Sequence, residues 1–305
     1  MIPVERVRAL KLRHEAGASQ TAHVEAASGL AIVGDTVYVV ADDELYLAVF
    51  PDMARAPGTA VPILPGDLPH DYKERKDRKP DLESLTELAP FDRFERGGLI
   101  ALASGSSEDR RRGAFVALEG DGSLGEVVEL DLGPLLDRLH DEIPGLNLEG
   151  TAVTADAFRV LQRGNEDGSF NAHIDLDLSG LHKAIAAGGT LPADLLVDVV
   201  RHDLGQIRGV QLCFSDADTL DDGRIAFSAS AEPPKEAGDG PQIGSAVGVM
   251  TRAGRVEDVQ PIDIEVKVEG LAVRPEDGVT WAYMVTDEDS PDIPSDLCRV
   301  KLPWA

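Results

Sequence analysis

Ser28-Gly29-Leu30-Ala31-Ile32 is the first of five echoes of one short strand. The others are Glu83-Ser84-Leu85-Thr86-Glu87, Glu149-Gly150-Thr151-Ala152-Val153, Ser215-Asp216-Ala217-Asp218-Thr219 and Glu269-Gly270-Leu271-Ala272-Val273. Each begins with an oxygen-bearing side chain, and the leading residues lie 55, 66, 66 and 54 positions apart. A strand that recurs at this period reads as one repeat per blade of a β-propeller, with the echoed strand innermost.

Around each echo, period-two alternation marks about four short strands. The first repeat shows 29–33, 36–41, 44–50 and 59–64; the second, 82–88, 98–104, 114–119 and 126–132. The third runs through 148–153, 157–162, 171–178 and 195–201, and the fourth through 214–220, 224–230, 246–251 and 256–262. The fifth offers only 268–273, 280–286 and 297–302. Its missing strand is expected from the N-terminal run 6–12, because an open ring would leave two unpaired edges exposed to aggregation. The expected fold is therefore all-β: a five-bladed propeller of four-stranded antiparallel blades, one domain over residues 1–305. A short helix is expected at 133–143, from the helical spacing of Leu135, Leu136 and Leu139, and a similar one at 181–187.

The composition agrees with a globular chain: 43% of residues are hydrophobic, and no run is long or apolar enough to span a membrane. The first residues interleave charge with apolar side chains and lack the apolar stretch of a secretory leader, so a cytoplasmic location is expected. A formal net charge of −26 argues against nucleic acid or an anionic membrane as a general partner. Two distant cysteines, Cys213 and Cys298, make neither a disulfide framework nor a zinc site and read as buried small residues.

Five inner strands place Ser28, Glu83, Glu149, Ser215 and Glu269 around one axis. All five are hard oxygen donors, which suits calcium or magnesium, and three crowded carboxylates repel one another unless a cation or protons neutralise them. The same pattern also describes a wet polar channel that holds no metal.

The hairpins joining first and second strands are short turns such as Asp221-Asp222-Gly223. Loops joining second and third strands are longer and polar, at 105–113, 164–170, 231–245 and 287–296, and share a face with the long 65–80 connection. Insertions gathered on one face mark a binding face. Twelve of the 29 Lys and Arg map there: Lys73, Arg75, Lys76, Arg78 and Lys79, Arg110 to Arg112, Arg163, Arg208, Lys235 and Lys267. They suit a small anionic ligand, with Arg163 and Lys267 nearest the channel by strand position. Asp42, Asp43, Asn165, Glu232, Asp287 and Asp289 each follow a second strand, where one could orient a metal-activated water, although Asp and Asn also favour such turns by themselves. No nucleophile elbow, zinc-binding His-Glu-x-x-His helix or P-loop occurs.

These residues resemble the calcium-activated nucleotidase (apyrase) family, five-bladed propellers whose inner strands offer Ser, Glu, Glu, Ser and Glu in blade order. The resemblance implies a central calcium on Ser28, Glu83, Glu149, Ser215 and Glu269. The run 37–43, which ends in Asp42-Asp43, is similar to that family's strand near its nucleotide site, and 208–227 is similar to its fourth blade. Glu44-Leu45 stand where the family has Arg-Thr-Gly. Leu82-Glu83-Ser84 and Leu148-Glu149-Gly150 also resemble, more loosely, the inner strands of the esterase-like phytase propellers. The expected function is calcium-dependent hydrolysis of a phosphoester or related anionic ester at the channel mouth. In that reading Asp42, Asp43 or Asp287 guides water, and Arg163, Asn165, Arg208 and Lys267 hold substrate. The alternative is a non-catalytic propeller that binds a ligand or partner protein around a structural calcium.

Overall fold

The computed structural model describes residues 1–120, 122–166, 168–232, 243–264, 267–288 and 290–304. Five four-stranded antiparallel blades stand in a ring. Their inner strands are Ala27–Val33, Leu82–Leu88, Leu148–Val153, Cys213–Thr219 and Lys267–Glu276, each packed against the next, with the fifth against the first. Second strands such as Gly98–Ala103 and Ile225–Ala231 are buried throughout and read as apolar runs of small and branched residues. Outer strands such as Leu124–Asp131 face water on one side and alternate accordingly. The core lies between blades, where Tyr38, Phe50, Phe115, Phe158, Phe214 and Phe227 are fully buried.

The ring closes as expected, with adjusted boundaries. Glu5–Ala9 is the outer strand of the fifth blade, paired antiparallel to Asp296–Lys301. Ile2–Pro3 adds a short parallel strand to the outer edge of the fourth blade, so the N-terminus ties two blades together. Beyond Leu10 the chain leaves the blade for a small hairpin, Lys11–Ala16 with Thr21–His23, which shortens the closing strand relative to 6–12.

Each echo coincides with one backbone event. In all five blades the first two strands shift register at its leading residue: around Ser28, Glu83, Glu149, Ser215 and Glu269 the inner strand carries one residue more than its partner. These are β-bulges, which re-aim a side chain that plain alternation would point elsewhere. In three blades a glycine follows, because the neighbouring inner strand is too close for a side chain. A Cβ on Gly150 would lie 2.4 Å from Asp216 Cα, one on Gly29 2.7 Å from Leu85 N, and one on Gly270 2.7 Å from Leu30 N. Gly150→Ala is accordingly expected to lower stability by about 2–3 kcal/mol, since backbone has to move. Urea denaturation checks this, and an unchanged midpoint would mean that the inner strands have room to spare.

Between strands, helix Gly133–His140 buries Leu135, Leu136 and Leu139, and helix Leu178–Ala186 buries Leu181 and Ile185, close to the two expected helices. A third, Tyr72–Arg78, replaces part of the expected 65–80 loop. Its sequence, Tyr-Lys-Glu-Arg-Lys-Asp-Arg, has no apolar stripe to announce it. Asp71 caps it by accepting from the amides of Lys73 and Glu74, and Arg75 anchors it inward. Among the described residues no helix is long and apolar enough to cross a membrane.

Candidate functional site

The loop-rich end of the channel opens into a cavity of about 570 Å³. Its walls come from the segments entering blades two, three and five (Lys79 to Glu83, Gly145 to Glu149, Lys267) and from the second-to-third-strand loops of blades two, three and four (Ser106, Arg110, Arg163 to Glu166, Glu232). The expected binding face is thus the face with the cavity. Lys235 and Asp289 lie outside the described residues.

One wall is acidic. Asp42, at the end of strand Thr36–Ala41, Asp81 and the bulge residue Glu83 bring carboxylate oxygens within 4.8 Å of one another. The Lys79 ammonium enters this trio, 2.6 Å from Asp81 Oδ1, 4.0 Å from Glu83 Oε1 and in ion-pair contact with Asp42. Burial pushes the Glu83 carboxyl well above the usual carboxylate range, and the charges of Asp81 and Glu149 add to that. Burial acts on Asp81 in the same sense, but Lys79, the Ser104 hydroxyl and Arg110 outweigh it and hold Asp81 below its ordinary value. Burial alone would depress the Lys79 ammonium; Asp42, Glu83 and Asp81 instead raise it well above the usual lysine value. Asp81 has a positive φ of 60°, a conformation that costs a non-glycine residue free energy and that collects at functional sites.

The opposite wall is a cage of alternating charge. Arg163 Nη1 lies 3.3 Å from Glu149 Oε1 and 3.7 Å from Glu269 Oε2, and Arg163 Nη2 lies 2.5 Å from Glu232 Oε1. Lys267 contacts Glu269 and sits 3.4 Å from Glu232 Oε1. Burial raises the Glu149 carboxyl; Arg163 opposes and Glu269 adds to the rise, which reaches about 8. Asn147 Nδ2 donates to Glu149 Oε1 at 2.7 Å and fixes its orientation. Glu232 goes the other way: burial would raise it, but Arg163 and Lys267 pull it down to about 2.

The expected residues divide as follows. Glu83 joins Asp42 and Asp81, whereas Glu149 and Glu269 share Arg163. Ser28 Oγ donates to the Ala26 carbonyl at 3.3 Å, and Ser215 Oγ pairs with Ser230 Oγ at 3.0 Å, so both hydroxyls are engaged beside the axis. Asp43 is buried in an ion pair with Arg75 (Nε to Oδ2, 2.9 Å), and Arg75 Nη2 also holds Glu25 Oε2 at 2.9 Å. Asp287 closes strand Val279–Asp287 opposite Lys267. Asn165 and Lys267 line the cavity, as does Arg163, but the carboxylate cage encloses Arg163 almost fully. Arg208 sits exposed in a small hairpin and lines no part of the cavity. Solvent-facing positive charge comes instead from Lys267 and Arg110, whose side chains are 22% and 26% exposed.

Asp81 and Glu25 were not singled out by sequence, and Arg75 only as one of the cations of the binding face. Asp81 carried a readable signal, since it is a second carboxylate only two residues before Glu83.

A hard divalent cation fits the acidic wall. Its donors are all carboxylate oxygens, the buried Asp42 Oδ1 has no hydrogen-bond partner, and the Lys79 ammonium shows that positive charge is stabilised there.

Residues 23–302 match a family described as a family of unknown function (DUF6929). None of the curated proteins matches the sequence. Among solved structures, the chain is similar to a putative glycoside hydrolase from Parabacteroides distasonis, with a TM-score of 0.52 and 11% identity over 98% of this chain and 97% of that one. It is also similar to an endo-arabinase from Bacteroides thetaiotaomicron, with a TM-score of 0.51 and 8% identity over 98% and 99%. At such identities the likeness concerns the fold.

Proposed function

We propose that this chain, which belongs to the DUF6929 family, binds calcium at the mouth of its channel and hydrolyses a phosphoester or related anionic ester there. The observation that carries this reading is one polar cavity in which Asp81 and Glu83, backed by Asp42, share the walls with two cations, Arg110, 3.0 Å from Asp81 Oδ2, and Lys267. Asp42, Asp81 and Glu83 would hold the ion, displacing the Lys79 ammonium. When bound, it would supply Lewis-acid polarisation of the ester and charge neutralisation of the trio.

The chain's own groups account for the rest. Arg110 and Lys267 attract and orient the anion. Water attacks phosphorus, a new P–O bond forms, and the ester P–O bond breaks toward the alcohol. Glu149, pushed up to about 8, keeps its proton at neutral pH and can give it to the departing alkoxide. Arg163 acts through Glu149 as a positioning residue. Asp287, opposite Lys267 in the strand register, would take the proton from water.

Calcium at about a hundredfold excess over Kd is expected to stabilise the protein by about 2.7 kcal/mol, read as a rise in melting temperature, and Glu83→Gln should erase that rise. Without calcium the pH dependence has a definite sign. Glu149 binds its proton more tightly folded than unfolded, so stability falls as pH rises from about 4.5 toward 8. A phosphoester panel with calcium present tests the chemistry. If calcium leaves the melting temperature unchanged and no ester releases phosphate, the reading is wrong.

A further inference from the structure

We infer that the ligand of this cavity is a phosphorylated polyhydroxy compound, such as a sugar or polyol phosphate, and not a nucleotide. This rests on the reading of the site as one for anionic esters and adds the identity of the organic half. Among the described lining residues there is no Phe, Tyr or Trp, and Leu146 is the single apolar side chain. Residues 233–242, which follow Glu232, contain no aromatic in sequence either. A nucleobase held in a protein site usually gains about 1–3 kcal/mol from stacking on an aromatic ring. Here the one ring on the described walls is the His140 imidazole, whose Nε2 is engaged with the Gly105 carbonyl at 3.0 Å, and a base would strip water from charged walls without replacing the lost hydrogen bonds.

The same walls suit hydroxyl groups. Carboxylates and amides accept and donate to vicinal hydroxyls, and the cavity offers both types beside its cations. Asn165 stands at the rim, and among the described residues its amide engages no other group. Asn147 has one amide hydrogen committed to Glu149, which leaves its carbonyl oxygen to accept. A phosphate against Arg110 and Lys267 would set the carbon chain across the mouth toward these amides. Sites built to hydrogen-bond a hydroxyl discriminate strongly against ligands that lack it, because their own polar groups are then left unpaired.

The test is calorimetric titration of the calcium-loaded protein with glucose 6-phosphate, AMP and inorganic phosphate, with phosphate release followed in parallel. Glucose 6-phosphate is expected to bind at least about tenfold more tightly than AMP or inorganic phosphate, a difference of about 1.4 kcal/mol. Asn165→Ala, at an exposed position, should narrow the gap between glucose 6-phosphate and inorganic phosphate. AMP binding as tightly as glucose 6-phosphate, or inorganic phosphate doing so, would overturn the inference, as would no binding of any of the three. Phosphate release reports on the catalytic reading separately. Tight binding of glucose 6-phosphate without turnover would sink hydrolysis and keep the ligand class; turnover of AMP alone would do the reverse.

Discussion

A chain lacking residues 1–9 is expected to lose most of its stability, on the order of the 5–15 kcal/mol that holds a typical domain, and to aggregate. The deletion removes the outer strand of the fifth blade and, through Ile2 and Pro3, the strand that pairs with the edge of the fourth. It also removes Arg8, whose guanidinium sits over the Phe50 ring at 4.9 Å and donates to the Ala56 carbonyl at 2.9 Å, a link into the first blade. Strand Asp296–Lys301 would then offer a bare row of backbone donors and acceptors to any other chain. Equilibrium denaturation with light scattering checks this, and a synthetic peptide of residues 1–9 should restore part of the lost stability. A truncated protein that melts cooperatively within a few degrees of the intact one would show that the ring needs no closing strand.

Replacing Arg75 with Met is expected to cost about 3–5 kcal/mol, the usual penalty for breaking a buried ion pair from one side. Arg75 is 2% exposed and stands between Glu25 and Asp43, both buried, so its loss leaves two carboxylates facing each other without a counter-charge. Burial already raises both carboxyls; the charge of Asp43 adds to the rise at Glu25, and that of Asp42 to the rise at Asp43. The triple change Arg75→Met, Asp43→Asn, Glu25→Gln should recover part of the loss, since it removes the stranded charges together with the cation. If the triple variant is no better than the single one, the helix depends on the shape of Arg75 and not on its charge. The single variant should also weaken calcium-dependent stabilisation, because helix Tyr72–Arg78 leads directly into Lys79 and Asp81 beside Asp42.

The blade count, the closing N-terminal strand and the face that carries the cavity could be read from sequence because each follows from a local repeat. The echo was legible for a reason that only the structure supplies: it records a bulge and, in three blades, a glycine forced by the next inner strand. Other features arise from pairs far apart in the chain. Nothing local distinguishes Arg75 from its neighbours Arg78 or Lys76; its partners Glu25 and Asp43 lie 50 and 32 residues away. Arg163 read correctly as near the channel, yet its exposure depended on three carboxylates from three other blade segments closing around it. Arg208 followed the pattern of a binding-face cation, but the tight Gln206–Ile207 and Val210–Gln211 hairpin turns it outward.

The five bulges separate two demands that most strands must meet together. An ordinary inner-strand position is tied to the pleat, so changing its chemistry disturbs the packing on one side or the other. An extra residue at a bulge is released from that alternation, and its side chain can change between serine and glutamate while the flanking Leu, Ala and Val residues continue to fill the blade interfaces. The axis of this molecule is therefore a set of interchangeable sockets in a fixed frame. The chemistry around the channel is thereby separated from the packing between blades and has to be matched only by the groups at the mouth, such as Arg163 beside Glu149 and Glu269.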